Sequence, residues 1–523
     1  MTDDNRSYWK ETFSHFLSGE IDRFEGRFLF GLLIFAFLIR IPLLIYPEVI
    51  HNDGIEYIRH ARQILSGDWS GGKVPPLYPL LIAIFHFCTP NDELAGIWAS
   101  VFLGALVVLP IFYLCKNIFN ENVGFIAALF AVVHPFLYMS SGSVLTESTY
   151  HFLLATSVLF GWNAFSKGRF YNIVLFSLFT TFAYLTRPEA IGFLLIFSIW
   201  VLLIKPPLGR RSWTRRTGIV LLAIFCFLAF SSPYLIQIRK ESGRWGISRK
   251  IFISTGSFSK EEGVPSIEEI RRKREFPLFS LIRDPLTALG KGGIGFLKSL
   301  YIFQQGFNPL LFFLAIIGFV FILKKESPYA LKGNFYLASY PVFFFGFVLP
   351  FFWITPRYTS QMITIALPWA AFGFLESAKW LHQRLRWCVS GMKFGAILLI
   401  LILIGLFVQG RVIHPRSHRF IQREVGLWMK DHLPKGTKVM SSMPQEAFYA
   451  ELPWVYMPSG SYEEIQKVAR SQQVQYLVVD ETIEKDFPDF WEKSKEGHWV
   501  PLLDLKRKNR RMVVFQIDYP QGK

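Results

Sequence analysis

The sequence predicts an all-α polytopic membrane protein followed by a small C-terminal soluble α/β domain. Three observations predict it. Of the 523 residues, 51% are hydrophobic, 18% are charged and 54 are phenylalanine, whereas an average soluble chain carries roughly 25% charged residues. The excess apolar residues fall in runs near the ~20 residues a helix needs to cross a bilayer. After residue 411 the runs stop and a polar tail begins. A soluble enzyme, a disordered chain and an outer-membrane barrel are excluded, the last because it is written in short alternating segments.

Residues 1–27 are polar and mixed in charge, without the basic start, short apolar core and small-residue cleavage site of a signal peptide. The run 28–46 is therefore expected to be an uncleaved helix with a cytoplasmic N-terminus. Further spans are expected at 94–115, 123–140, 148–165, 171–186, 190–204, 218–238, 308–323, 334–352, 358–375 and 394–409. Together they give about 11 transmembrane helices in a domain covering 28–410. The segment 75–88, which opens Pro75-Pro76-Leu77-Tyr78-Pro79, is too short to span and reads as re-entrant or interfacial. Two long outer loops remain, 47–93 and 239–307. In the tail, 411–523, helical periodicity at 420–432 and 462–473 alternates with strand-like runs at 438–441, 474–480 and 512–517. That alternation predicts an α/β domain, placed outside the cell with the first loop.

The net charge of +17 would suggest nucleic acid on a soluble chain. Here the basic residues first set orientation, and the loop 205–217, with Arg210, Arg211, Arg215 and Arg216 and no acid, is the strongest inside marker. No nucleic-acid partner is implied. The loop 239–307 carries the basic run 271–274 although it is expected outside, but loops beyond about 60 residues largely escape the charge rule. It reads as a solvated face or as a patch for anionic lipid head groups. Cys88, Cys115, Cys226 and Cys388 lie in or beside apolar runs, so no disulfide framework is indicated. The sole Asn-x-Ser/Thr acceptor, at Asn5, falls on the expected inside. A cell inner (plasma) membrane is the expected location.

The expected spans are nearly free of ionisable groups, Arg40 being the main exception. A transporter or flippase of lipid-linked sugars, the alternative function, would place charges mid-span along its path. A non-catalytic scaffold would leave the outer carboxylates without a task. Acids at the water–lipid boundary suit an enzyme acting on a lipid head group. In the first outer loop Asp53, Tyr57 and Ala61 share one face of a short interfacial helix. Asp53 either caps that helix or serves as a general base.

This helix, with Gly67-Asp68-Trp69 and the Pro-Pro-Leu-Tyr-Pro run after it, resembles the first outer loop of fold-type-C (GT-C) glycosyltransferases. The resemblance is to the branch of protein O-mannosyltransferases and the lipid A aminoarabinose transferase. It implies a GT-C type fold, a polyprenyl-phosphate sugar donor, inversion at the anomeric carbon and a catalytic loop aspartate at Asp53. Relatives often have Asp-Glu at this point; here Gly54 follows and Glu56 is the next acid. Ser143-Val144-Leu145-Thr146-Glu147 resembles the family's second-loop acid, which maps onto Glu147; the alternative is a helix cap at Thr146 with an acid in its first turn. Leu185-Thr186-Arg187-Pro188-Glu189 resembles a family turn in which Arg187 contacts substrate or pairs with Glu189. Pro356-Arg357-Tyr358 resembles the family's Arg-Tyr, where Arg357 binds the donor phosphate through a charge-assisted fork or snorkels at the interface.

Oligosaccharyltransferase-type relatives carry an Asp-x-Asp metal motif in the second loop, and 143–148 holds none. No metal ligands are expected on that ground, although Asp53 and Glu147 together could hold a divalent ion. Pro444-Gln445-Glu446-Ala447-Phe448-Tyr449 resembles the family's tails and reads as packing. The resulting expectation is a membrane glycosyltransferase with catalytic Asp53 and Glu147. Arg357, Tyr358, Arg187, Tyr57 and Glu56 would line the donor site. Its partners would be the lipid-linked donor and membrane lipids. Sugar and acceptor depend on cavity shape, which spacing does not give.

Overall fold

The computed structural model describes residues 21–69, 74–207, 211–248, 285–324, 327–351, 354–385, 391–412, 419–458, 462–481, 499–507 and 510–518. Asn5, Arg210, the basic run 271–274 and Cys388 lie outside them.

Among the described residues the predicted spans fall largely on helix, interrupted in places. The first is split into α1 (Ile21–Leu38) and α2 (Ile41–Ile45), with Pro42 in the first turn of α2. At the break Arg40 is fully buried and donates from Nη1 to Ala36 O at 2.8 Å and from Nε to Ser141 Oγ at 3.1 Å. An extended connector leads to α3 (Asn52–Leu65), which is followed by α4 (Leu77–His86), only 10 residues long. The second predicted span comprises α5 (Asp92–Leu106) and α6 (Val108–Ile118). Between α7 (Glu121–Val133) and α8 (Pro135–Ser141) the axis bends by 52°, since Pro135 lacks the N–H a continuous helix needs and His134 Nδ1 accepts from Phe136 N.

Next come α9 (Glu147–Lys167), α10 (Phe170–Thr186), a 3-10 turn at Pro188–Ala190, α11 (Ile191–Leu203) and α12 (Trp213–Ser242). α9 is buried along nearly its whole length. Its Ser157 hydroxyl lies 2.6 Å from that of Thr180 in α10.

The segment read as the end of an outer loop is instead α13 (Pro285–Phe307), 23 residues long. Gly290, Gly292, Gly293 and Gly295, with Lys291 and Lys298, weaken both its helix propensity and its apolar signal. The chain then turns through 118° into α14 (Pro309–Leu323). Asn308 makes the corner at the positive φ of 74°, which asparagine adopts more readily than most residues. Its Oδ1 accepts from Leu310 N at 2.9 Å, and its Nδ2 donates to Gln409 Oε1 at 2.7 Å. α15 (Pro328–Phe343) passes through a π turn, Phe344–Val348, towards α16 (Pro356–Thr359), α17 (Ile363–Leu385) and α18 (Gly391–Val412).

α14 and α17 touch backbone to backbone. A Cβ at Gly318 would stand 1.9 Å from Trp369 O, and one at Gly373 would stand 1.9 Å from Leu314 O. Small residues bring membrane helices this close.

By length and composition, 4 helices among the described residues can each cross a membrane, and 6 can if each bent pair counts as one span. Exposed Phe30, Leu203, Phe225 and Leu401 lie on the outer flanks, as a surface meeting hydrocarbon requires.

The tail folds around a 5-stranded sheet in the order β2-β1-β3-β5-β4. The elements are α19 (Phe420–His432), β1 (Val439–Ser441), α20 (Gln445–Ala450), β2 (Trp454–Tyr456), α21 (Tyr462–Ser471), β3 (Tyr476–Asp480), β4 (Trp499–Arg507) and β5 (Arg510–Ile517). β1 runs parallel to β2 and β3, while β5 runs antiparallel to β3 and β4. Alternation along the strands sends Met440, Leu477, Val513 and Phe515 to the face covered by α21, and Val439, Val478, Met512 and Val514 to the face under α19 and α20.

On α20, burial pushes the Glu446 carboxyl up to about 8, and Asp480 adds to the shift. The folded domain therefore holds a proton that the unfolded chain releases above about 4.5. Its contribution to stability is complete below that value and is lost as pH rises through about 8. The thermal midpoint of the full chain's C-terminal domain should fall between pH 5 and pH 9, and Glu446→Gln should flatten that dependence. An equal fall in the variant would show that another group is responsible.

Candidate active site

Asp53 is the second residue of α3. The helix is capped by His51, whose Nδ1 accepts from Asp53 N at 3.2 Å, so the sequence-level reading of Asp53 as a cap is corrected: the neighbouring histidine does that work and the carboxylate is released for other contacts. Gly54 explains how α3 comes so close to the second loop. A Cβ there would meet Val144 O at 2.8 Å and Ile50 Cγ1 at 2.8 Å. Tyr57 and Ala61 are buried on the same face, and Tyr57 packs edge-on against Tyr78 with centroids 5.2 Å apart.

Glu147 opens α9. Thr146 occupies the cap position without making a side-chain capping bond, so the capping alternative does not hold for it either. The Glu147 carboxylate turns inward instead and is 2% exposed, against 46% for Asp53.

Both acids meet one cation. Arg357, on α16, donates from Nε to Glu147 Oε1 and from Nη1 to Asp53 Oδ2, the latter at 2.5 Å. This is a charge-assisted bridge between two loops, and it replaces the snorkelling alternative for Arg357. The turn that presents it is braced from α9. His151 Nε2 lies 3.0 Å from Ser360 O, and because a carbonyl only accepts, that nitrogen carries the proton. Ser360 Oγ in turn donates to Arg357 O at 2.7 Å.

Arg187 forms a second layer. Its Nε donates to Glu189 Oε1 at 2.8 Å, and its Nη1 lies 3.6 Å from Glu147 Oε1. The guanidinium stands over the rings of Tyr358 at 5.0 Å and Tyr150 at 5.5 Å, a cation–π arrangement. The Gln361 carboxamide, with its oxygen turned towards Arg187, accepts from Nη2 at 2.9 Å.

Six of the seven residues named from the sequence are therefore gathered here: Asp53, Tyr57, Glu147, Arg187, Arg357 and Tyr358. Glu56 is not. It pairs with Arg59 at 3.0 Å on the exposed rim of α3, so it does not stand in for the acid that relatives carry beside Asp53. Sequence reasoning missed His51, Tyr150, His151 and Gln361. Gln361 alone left a signal, one helical turn beyond Arg357.

The family model described as dolichyl-phosphate-mannose-protein mannosyltransferase matches residues 73–236. ArnT from Cupriavidus metallidurans in the apo state superposes with a TM-score of 0.58 at 13% identity, covering 94% of this chain and 98% of that one. The fold is that of the fold-type-C glycosyltransferases. The apo oligosaccharyltransferase of Archaeoglobus fulgidus superposes with a TM-score of 0.61 at 13% identity, over 88% of this chain and 70% of its own. A further structure of ArnT is bound to undecaprenyl phosphate, with a TM-score of 0.56 at 14% identity. No curated protein matches the chain in sequence. Within this fold-type-C frame the matched stretch 73–236 supplies Glu147 and Arg187, whereas Asp53 and Arg357 come from either side of it.

Proposed function

We propose that the protein is an inverting glycosyltransferase that moves a sugar from a polyprenyl-phosphate-linked donor to an acceptor on the outer face of a bacterial inner membrane. The observation that carries this reading is the guanidinium of Arg357 held between a half-exposed Asp53 and a buried Glu147. The structures of related fold include ArnT with undecaprenyl phosphate and an archaeal oligosaccharyltransferase with dolichol-phosphate, which supports a lipid-phosphate donor here.

The two carboxylates differ in environment and so in task. Glu147, out of water and bonded to Arg357, fixes the cation. Asp53, the more exposed of the two, is the base. A donor phosphate entering beside Arg357 competes with Asp53 for Nη1, so donor binding neutralises the leaving group and frees the carboxylate in one movement. Asp53 takes the proton of the acceptor hydroxyl, the acceptor oxygen bonds to the anomeric carbon, and the carbon–phosphate oxygen bond on the opposite face breaks. Polyprenyl phosphate leaves with its charge met by Arg357, with Arg187 behind it. Tyr57 and Tyr358 wall the site.

The test is to incubate the purified protein with radiolabelled polyprenyl-phosphate sugar. Release of free polyprenyl phosphate with loss of donor supports the reading, and an intact donor in the presence of candidate acceptors rejects it.

One oligosaccharyltransferase structure of this fold carries zinc and sulfate. Here no group of three or more His, Cys, Asp or Glu among the described residues could hold a metal, and Arg357 occupies the space between the two acids. With Arg357 already bridging both acids, the residues do not fit a resident metal. Turnover should stay within about 2-fold of its starting value after EDTA, because the arginine already supplies the positive charge. Loss that zinc, magnesium or manganese restores would put a cation between Asp53 and Glu147.

A further inference from the structure

The connector between α2 and α3, residues 46–51, belongs to no helix or strand. Backbone groups in such a segment need partners from elsewhere, and here they come from the C-terminal domain, some 400 residues away in sequence. Ile50 N donates to the Tyr449 hydroxyl at 2.9 Å, and that hydroxyl donates to Glu93 Oε1 at 2.8 Å. Gln445 Nε2 donates to Ile50 O at 3.3 Å and also bonds Asn52 Oδ1. Arg423 stands over the Tyr449 ring at 5.4 Å and donates to Pro47 O at 3.4 Å.

Packing agrees with the hydrogen bonds. Tyr449 is 7% exposed and belongs to the same apolar cluster as Ile55, Ile58 and Tyr78 of the first loop, not to either core of its own domain. Gly426 lets α19 press against it, since a Cβ there would come within 2.6 Å of Tyr449 Cβ.

We infer that the α20 turn of the C-terminal domain is a positioning latch for the catalytic aspartate, with Tyr449 its positioning residue. The tyrosine fixes the backbone at Ile50, three residues before Asp53, against Glu93 at the start of α5. Asp53 is thereby set against Arg357 from outside the membrane domain. The inference rests on the proposed function for what Asp53 does, and on geometry alone for what holds it.

Tyr449→Phe keeps the ring and removes the hydroxyl, leaving the domain docked and Ile50 N–H without its acceptor. In the full-length protein, kcat for release of polyprenyl phosphate should fall about 10- to 100-fold, as small misplacements of a reacting group do. The donor KM should stay unchanged, because Tyr449 touches no donor-binding group. Amide hydrogen exchange across 50–57 should accelerate while that of the β1–β3 strands stays as in the parent. A variant with parental kcat overturns the latch, and so does a fall in kcat without faster exchange at 50–57. Faster exchange throughout the C-terminal domain, with kcat and KM both altered, would show a merely structural role and also overturn it. If the parent itself releases no polyprenyl phosphate, the proposed function fails instead, and the exchange measurement alone decides whether Tyr449 orders the Asp53 loop.

Discussion

Asp53→Asn is expected to lower kcat by about 10²- to 10⁴-fold, the usual worth of a positioned general base, while the protein folds as before and binds its donor at least as tightly. Asparagine matches aspartate in shape, and its amide oxygen can still accept from Arg357 Nη1, so the bridge seen at 2.5 Å loses charge but not its path. Asp53 is also the more exposed of the two acids, which limits the structural cost of neutralising it. The measurement is release of polyprenyl phosphate by the purified variant, with its thermal midpoint as the folding control. A variant with near-parental kcat would remove Asp53 from the chemistry.

The second large effect falls on Arg357, where stability and activity should part company. Arg357→Met leaves Glu147 buried with Arg187 at 3.6 Å as its remaining cation. Removing one partner of a buried pair typically costs about 3–5 kcal/mol, and the remaining arginine puts this case at the lower end. Turnover should fall by about 10²-fold or more, as when a group stabilising developing charge is lost. Adding Glu147→Gln should recover most of the thermal midpoint, since no uncompensated charge is then left inside, but none of the turnover. Arg357→Lys should resemble the methionine variant in activity, because an ammonium has no planar fork with which to reach both acids. Recovery of turnover in the double variant would mean that Arg357 serves the fold alone.

Much of the architecture is legible in the sequence because membrane-length apolar runs have few alternative uses. Among the described residues the expected spans fall largely on helix, and the tail's strands β1, β3 and β5 stand where strand-like runs were expected. What apolar content does not encode is direction. The 52° bend before Pro135 and the 118° turn at Asn308 depend on single residues inside otherwise continuous runs. α13 escaped notice because its glycines and lysines dilute the very signal that marks a span. Strands β2 and β4 were missed: the first is 3 residues long, and the second is mostly exposed.

At the site, composition and spacing alone could not choose between caps and chemistry for Asp53 and Glu147. Resemblance singled them out, and the structure gives the cap of α3 to His51 and pairs both carboxylates with Arg357. The bridge joins residues 304 positions apart, a separation no local pattern reports. Glu56 was attractive because it follows Asp53 closely, yet the structure pairs it with Arg59, one turn further along the exposed rim of α3. Tyr449 was read as packing, and it does pack, but its hydroxyl partners lie in the first loop and in α5.

The glycine contact between α14 and α17 leaves those two helices no slack. With Gly318 and Gly373 seated against opposing carbonyls, neither helix can slide or tilt without collision, and the turn bearing Arg357 runs directly into α17. The cation is thus mounted next to a close-packed helix pair, while the aspartate sits on a short, partly buried helix tethered by the C-terminal domain. In the proposed reaction, any widening that admits the donor or releases the product is expected on the side of α3.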